Sequence, residues 1–294
     1  MPALATKNES LIHQPKIDHK RGWKLLTKRP LKPVSVRDLP DVLKMLLKDR
    51  TTRRNIMWAT DSYKELGKGF NPADVIRPET ITQEDSIIIP RVLKARDEQK
   101  LRTKGKAEVF TPVWVIKKQN DLVNEEYKDR PLNQYLETMW LEITCGEAPY
   151  MCTRYDTVTG DAVPLSERVG FVDRKLQRLS KEVDDKVVWM ERARKAYRYS
   201  YGYEYQGDSL FLARENLLQT YVDYFVAKFN ENPPVDELKV IASIISYNVF
   251  QMDGLSYTLP AVNENAGTVK VKLKDWKTRR MITFESLTQK EGEK

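Results

Sequence analysis

The chain has 294 residues, of which 40% are hydrophobic and 31% charged, a composition typical of a globular protein with a sizeable core. It lacks an apolar run near the roughly 20 residues that cross a bilayer, and its first residues lack the apolar segment of a secretory signal. Its 2 cysteines and 2 histidines exclude a disulfide framework and leave little for a Cys/His metal site. We therefore expect a cytoplasmic protein with no membrane partner.

The net charge of +8 is concentrated at one end of the chain. Residues 1–60 hold 14 Lys/Arg and 5 Asp/Glu, so the remaining residues hold 50 − 14 = 36 and 42 − 5 = 37. Residues 1–36, with Pro15, Pro30 and Pro33 among the cations, are predicted to form a partly disordered basic arm. Such an arm is suited to a polyanion such as DNA; a solvated arm without a partner is the alternative.

Residues 37–106 are predicted to form an N-terminal region of helices and short strands. Apolar side chains at helical spacing indicate an amphipathic helix at Leu39, Val42, Leu43, Leu46 and Leu47. Strands are predicted in "RNIMWAT" (54–60) and "DSIIIPRVL" (85–93), the second restricted to an edge or an end by Pro90. The charged segment "RVLKARDEQKLRTKGKAE" (91–108) is predicted to be a helix followed by a loop.

Residues 107–294 show strands alternating with helices. "FTPVWVIKKQNDLVNEEY" (110–127) predicts a helix with Thr111 as the cap and Pro112 in the first position. Strands follow in "WLEIT" (140–144) and "YRYSYGYEY" (197–205), a long helix in 209–229, and a helix running into a strand that ends at Asp253. This alternation predicts an α/β sheet whose ligand lies at the carboxyl ends of its strands.

The three predicted strands end in residues that suit one ligand. Thr144-Cys145-Gly146 lets a ligand approach the backbone, and the Glu204 carboxylate can accept both hydroxyls of a ribose. Asp253 can accept a hydrogen bond from an exocyclic amine. An acid at a strand end is more often a turn or cap residue, but the three tips in this order favour an adenosine-bearing ligand.

The segments "EVFTP", "LEITCGEAPYM", "YGYEYQGDSLFLARENLL" and "NVFQMDGL" resemble successive motifs of adenine-N6 DNA methyltransferases. The resemblance spans roughly residues 102–255 and is to the modification subunits of type I, and single-chain type II, restriction-modification systems. It implies a Rossmann-like S-adenosylmethionine-dependent sheet with helices on both faces, S-adenosylmethionine as cofactor and DNA as partner.

The resemblance also implies roles for particular residues. The methionine end of the donor would be held by Phe110, Thr111 and Pro112, and its amino-acid part by Glu142, Cys145 and Gly146. Glu204 would bind the ribose, and Asp253 with Gly254 would face the adenine. About sixty residues separate the first tip from Glu204, so an insertion is predicted at about 156–195, with "DTVTGD" as a hairpin turn. That insertion contains a rival ribose acid, Asp173.

One expected motif is missing. Adenine-N6 transfer needs a flipped base on an aromatic ring and acceptors for its amine, supplied in this family by Asn-Pro-Pro-Tyr on the strand after Asp253. "NENPPVDE" (230–237) precedes Asp253, and Val235 offers no ring, so we interpret it as a turn between helices. The sequence therefore predicts a split or truncated methyltransferase that is inactive alone, with no catalytic residue of its own and with a second chain as a possible partner.

Two other function classes remain open. The chain could be a nonenzymatic partner subunit that binds DNA or the donor. A metal-dependent nuclease, the less favoured reading, would use Asp41 with Glu98 and Lys100, although the second segment has the composition of a solvated helix.

Overall fold

The computed structural model describes residues 33–82, 86–94, 111–261 and 268–288. In these ranges the helices are α1 (Pro40–Leu47), α2 (Glu79–Thr82), α3 (Val113–Glu125), α4 (Leu132–Leu136), α5 (Phe171–Glu182), α6 (Lys186–Arg198), α7 (Gly207–Phe229), α8 (Val235–Asn248) and α9 (Glu285–Thr288). The strands are β1 (Trp140–Glu142), β2 (Ser200–Glu204), β3 (Val249–Gln251), β4 (Lys272–Lys274) and β5 (Met281–Thr283).

The main sheet consists of β1, β2 and β3, all parallel and side by side in that order. Helices α5 and α6 connect β1 to β2, and α7 and α8 connect β2 to β3. Parallel strands need such crossovers because the chain must return to the same end of the sheet before each new strand. The predicted α/β class is confirmed, and the carboxyl ends of all three strands lie at one edge.

The two faces of the sheet are covered differently. On one face, Val249 and the half-buried Trp140 pack into a core formed largely by α1 and α5–α8. On the other face, Tyr201, Tyr203 and Phe250 pack against Leu273, Ile282 and Phe284 of the antiparallel β4–β5 hairpin. The expectation of helices on both faces is therefore wrong within the described residues, because the hairpin covers the aromatic face.

Four of the predicted helices are present, as α1, α3, α7 and α8. All four of Val42, Leu43, Leu46 and Leu47 are buried, which explains the apolar spacing in α1. Helix α3 begins at Val113, with Pro112 as its N-cap, one position later than predicted. Helices α7 and α8 have the expected positions, and "NENPPVDE" forms the turn between them, as predicted.

Neither strand predicted before residue 94 is present in the described residues. Residues 54–60 make only isolated bridges, because the backbone N–H and C=O of Met57 bond to the Gln251 side chain at 2.9 Å each. The described part of the second segment ends in a 3-10 turn at Arg91–Leu93, directly after Pro90. The helix and loop predicted over 91–108 lie largely outside the described residues.

The segment predicted to be an insertion, at about 156–195, contains a hairpin turn followed by α5 and most of α6. Asp156 N–H donates to the Asp161 carbonyl and Gly160 N–H to the Asp156 carbonyl, both at 2.8 Å, while Tyr155 bridges to Ala162. The predicted hairpin turn is thus confirmed.

No helix among the described residues is both long enough and apolar enough to cross a lipid bilayer.

Candidate functional site

The three strand tips meet through backbone hydrogen bonds. Cys145 N–H donates to the Tyr203 carbonyl at 2.8 Å, which extends the β1–β2 pairing beyond the strand. Gly146 N–H donates to Glu204 Oε2 at 2.8 Å. Met252 N–H donates to the Glu204 carbonyl at 3.0 Å. Glu204 is therefore the centre of the group of tips that the sequence predicts.

The carboxylate of Glu204 is largely occupied by the protein itself. Its Oε1 accepts from the N–H groups of Tyr205 at 2.9 Å and Gln206 at 3.0 Å, in addition to the Gly146 bond at Oε2. A carboxylate has about four acceptor positions, so one remains, at Oε2. Glu204 therefore has room for one further donor, whereas the sequence-based prediction required two. Burial raises the pKa of Glu204 despite these three donors, and the charge of Asp208 adds to the rise.

The turn after β1 is compact and leaves space beside its glycine. Thr144, Gly146 and Ala148 all have positive φ, at 47°, 53° and 63°. Cys145 between them is buried. A Cβ on Gly146 would meet no atom within 4 Å, so the structure leaves room there for another group.

Glu142, the last residue of β1, is also buried and bound to backbone. Its Oε1 accepts from Tyr150 N–H at 3.2 Å and its Oε2 from Met151 N–H at 2.9 Å. Burial raises the pKa of Glu142 to about 8; the two N–H donors oppose this rise, and the nearby charge of Glu204 adds to it. The acid thus shapes the turn that carries Gly146.

Asp253 lies two residues beyond the end of β3 and forms a turn. Its Oδ1 accepts from Leu255 N–H at 2.8 Å and Ser256 N–H at 3.4 Å, and no hydrogen bond within the described residues uses Oδ2. A Cβ on Gly254 would lie 2.8 Å from the Tyr203 hydroxyl oxygen, so this glycine allows close packing on the ring.

The segment before α3 is hydrogen-bonded to the hairpin turn at residues 156–161. The Thr111 carbonyl accepts from the Thr157 hydroxyl at 3.0 Å, and Val113 N–H donates to Asp156 Oδ2 at 3.3 Å. Within the described residues, no hydrogen bond joins Thr111 or Pro112 to the strand tips. Phe110 lies outside the described residues.

The rival acid Asp173 is not at a strand tip. It is fully buried in the first turn of α5, where its Oδ2 accepts from Thr153 N–H at 2.7 Å and Gly170 N–H at 3.2 Å. Burial raises its pKa to about 6. Asp173 therefore caps a helix and fixes the 152–153 backbone, which favours Glu204 as the acid at the tip of β2.

A buried polar group that sequence reasoning missed lies at the start of α7. The Tyr63 hydroxyl donates to Asp208 Oδ2 at 2.8 Å, and Lys94 Nζ lies 2.9 Å from the Tyr63 oxygen and 3.4 Å from the same carboxylate oxygen. The only sequence signal was an acid in the first turn of a helix, because Tyr63 and Lys94 are 145 and 114 positions away from Asp208.

The nuclease alternative gains nothing from this arrangement. Asp41 is on the first turn of α1 with 68% of its side chain exposed, close to Lys44 and Lys239. Residues 98–100 lie outside the described ranges. Among the residues that are described, no group of three or more His, Cys, Asp or Glu side chains could hold a metal ion.

Comparison with known proteins returned no relationship: the chain matches no protein-family model, no curated protein sequence and no solved structure.

Proposed function

We propose that this chain is the S-adenosylmethionine-binding part of an adenine-N6 DNA methyltransferase of a restriction-modification system. The observation that supports this most is the meeting of the three strand tips, with Gly146 N–H 2.8 Å from the Glu204 carboxylate and open space beside Gly146. The strand order β1–β2–β3 corresponds to one half of a Rossmann-like doubly wound sheet, in which ligands bind at the carboxyl ends of the strands.

The residues at the tips fit such a donor with one change from the sequence prediction. Glu204 Oε2 would accept one ribose hydroxyl, and Asp253 Oδ2 would accept from the adenine amine. Glu142 and the turn at Cys145-Gly146 would face the amino-acid part. The bound donor would supply an electrophilic methyl group on a sulfonium centre, and the buried carboxylates would favour its positive charge.

The acceptor side of the reaction is proposed to come from a second chain. Asn232 lies in the α7–α8 turn, where its Oδ1 accepts from Val34 N–H at 3.1 Å, so it is not on a strand. On the described residues β1 is an edge strand, and Met139, Leu141 and Ile143 are 66%, 45% and 63% exposed. A further parallel strand could pair there, next to the donor tips.

Titration calorimetry with S-adenosylmethionine and S-adenosylhomocysteine tests the donor site. Glu204→Ala is expected to weaken binding by about 1–3 kcal/mol, the scale of a lost charge-assisted hydrogen bond. Gly146→Ala places a methyl group in the open space and should also weaken binding. The exposed Glu167→Gln is the matched control and should bind as the unmodified chain does.

Thermal unfolding of each variant separates lost binding from lost fold. No heat with the unmodified chain at millimolar donor would contradict the proposal. If both Glu204→Ala and Gly146→Ala bind the donor as tightly as the unmodified chain does, the donor binds elsewhere and not at these strand tips. Donor binding without methyl transfer in any combination of chains would favour the nonenzymatic partner subunit, the second candidate, which the absence of a catalytic tetrapeptide on a described strand supports.

A further inference from the structure

A strongly basic surface lies at the other end of the sheet from the strand tips. It is built from the turn at residues 50–54, the end of α6 and the β4–β5 hairpin. We call it the basic face, and it comprises Arg50, Arg53, Arg54, Arg198, Lys272, Lys274, Lys277, Arg279 and Arg280. Although these residues come from three separate parts of the chain, Lys272 N–H donates to the Thr51 hydroxyl at 3.0 Å, which joins the turn to β4.

Cations and aromatic rings alternate across the middle of the basic face. The Arg50 guanidinium lies 4.4 Å from the ring centre of Tyr247, and Lys274 Nζ lies 4.8 Å from the same ring. Lys274 Nζ is also 4.5 Å from the ring centre of Trp276, with the Arg198 guanidinium at 5.3 Å. Trp276 Nε1–H donates to Asn248 Oδ1 at 2.8 Å, which fixes the ring against α8.

Within the described residues, the cations of the basic face outnumber the acids beside them, which are Asp49 next to Arg50 and Asp275 next to Lys277. None of the ion pairs within the described residues includes a member of the basic face, whereas some exposed cations elsewhere are paired, as in Lys117–Asp121 and Lys186–Glu231. Asp275 lies in the hairpin turn, and its carboxylate accepts from Lys277 N–H, Thr278 N–H and the Thr278 hydroxyl. Because these cations lie close together and repel one another, binding of an anionic partner would be favourable here.

We propose that the basic face binds the phosphate backbone of duplex DNA. This inference rests on the proposed function and deepens it, since the sequence predicted DNA contacts only for the arm at residues 1–36. Arg198 precedes β2, and Tyr247 precedes β3, so the basic face is at the amino ends of the strands and roughly 17 Å from the donor tips, the length of a five-residue strand.

The arrangement suits a duplex backbone better than single-stranded bases. Tyr247 and Trp276 are only partly exposed and are flanked by the cations, so the rings position charges and do not offer free stacking platforms. Contacts to phosphates fix the position of a protein on DNA without reading sequence. Because the face is remote from the donor tips, it would hold the flanking duplex while the target base is presented elsewhere.

The test is the salt dependence of binding to a fluorescently labelled 24-base-pair mixed-sequence duplex, followed by anisotropy. The face variant is Arg53→Gln/Lys277→Gln/Arg279→Gln. All three positions are exposed, and none is among the cations that lie over the rings of Tyr247 and Trp276. Each lost phosphate contact lowers the slope of log K against log salt by about 0.9. We expect the slope to fall by about two to three units and the affinity to fall about tenfold to a hundredfold at 100 mM salt.

The control has the same net charge and different positions. Lys68→Gln/Lys118→Gln/Lys181→Gln removes three exposed lysines away from the basic face and should leave the slope within half a unit of the unmodified chain. Equal slopes for the two triple variants would overturn the inference, as would binding to phosphatidylserine vesicles with no binding to the duplex. Calorimetry with the donor on the face variant keeps the two proposals separate. If the heat of donor binding is unchanged while the salt slope of DNA binding is reduced, both proposals are supported. If the salt slope is reduced but neither the unmodified chain nor the variant binds the donor, only the basic face is supported.

Discussion

At the scale of single residues, two buried carboxylates organise the strand tips. Glu142 and Glu204 each accept backbone N–H groups from the turns around them, and burial raises the pKa of both. The backbone donors stabilise the charged form, while burial favours the neutral form. Such acids are poised to respond to a cationic ligand, because a nearby positive charge lowers their pKa.

Glu142 should make the stability of the fold depend on pH. Its pKa is about 8 in the folded protein and 4.5 in the reference state. Between these values the folded state retains a proton that the unfolded state has lost, so the free energy of unfolding falls as the pH rises. We expect Glu142→Gln to remove this contribution, whose upper limit is about 1.4 kcal/mol per pH unit for one proton.

Urea unfolding at pH 5–8 measures this effect as the difference between the unmodified chain and Glu142→Gln. The exposed Glu167→Gln is the control and should give a curve parallel to that of the unmodified chain. Parallel curves for Glu142→Gln as well would show that Glu142 is ionised in the folded state throughout this range.

At the scale of elements, one buried arginine joins several helix ends. Arg214 of α7 is fully buried and donates to four carbonyls: Leu46 at 2.6 Å, Val249 at 2.7 Å, Lys48 at 3.0 Å and Ser246 at 3.4 Å. These carbonyls belong to the ends of α1 and α8 and to the start of β3. Burial lowers the pKa of Arg214 to about 9, and the guanidinium takes the place of the capping groups that helix ends require.

Arg214→Met should destabilise the fold by about 3 kcal/mol, because the shorter apolar side chain leaves buried carbonyls without donors. The measurement is the midpoint and slope of urea unfolding. Lys181→Met, on the exposed part of the last turn of α5, is the control for the added methionine. A change no larger than that of the control would mean that water or a shifted backbone satisfies these carbonyls.

At the scale of the whole molecule, the described residues contain the proposed donor site but no group that would act as an acceptor site. The α/β sheet brings the tips of β1, β2 and β3 together, but the aromatic face of β2 and β3 is covered by the β4–β5 hairpin. Leu141 is in register with Tyr201 and therefore on the same face, yet it is 45% exposed. The open side of β1 is thus where a second chain would complete the sheet.

The isolated chain is expected not to methylate DNA, because transfer needs an aromatic platform and oriented acceptors for the adenine amine. Their absence should reduce turnover by several orders of magnitude. Transfer of a tritiated methyl group to mixed-sequence DNA measures this, first with the chain alone and then with the product of the neighbouring gene. Asn232→Ala serves as the control for the turn at 230–237 and should change nothing.

Rapid transfer by the chain alone, abolished by Asn232→Ala, would show that the turn is the catalytic motif after all. If the neighbouring product restores transfer, Leu141→Asp should prevent the restoration, because it places a charge on the surface proposed to be covered. Restoration that is insensitive to Leu141→Asp would place the second chain elsewhere.

The sequence by itself determined the elements whose formation depends on residues close together in the chain. These are the helices α1 and α7, the turn at Pro233-Pro234 and the hairpin turn at Asp156. It also placed Glu204 at a strand tip, because strand and following helix are contiguous. These features follow from local periodicity and turn chemistry, which are readable along the chain.

Only the tertiary structure decided how these elements use their polar groups. The Gly146–Glu204 bond joins residues 58 positions apart, and the Gln251 side chain pairs with Met57 over 194 positions, so a segment that reads as a strand becomes a bound loop. The basic face likewise combines three cations from the basic first 60 residues with six from later segments whose overall composition is near neutral. Such contacts form between residues that are far apart in the sequence and are brought together only by packing. The local sequence pattern around each residue therefore does not show which distant residue it will contact.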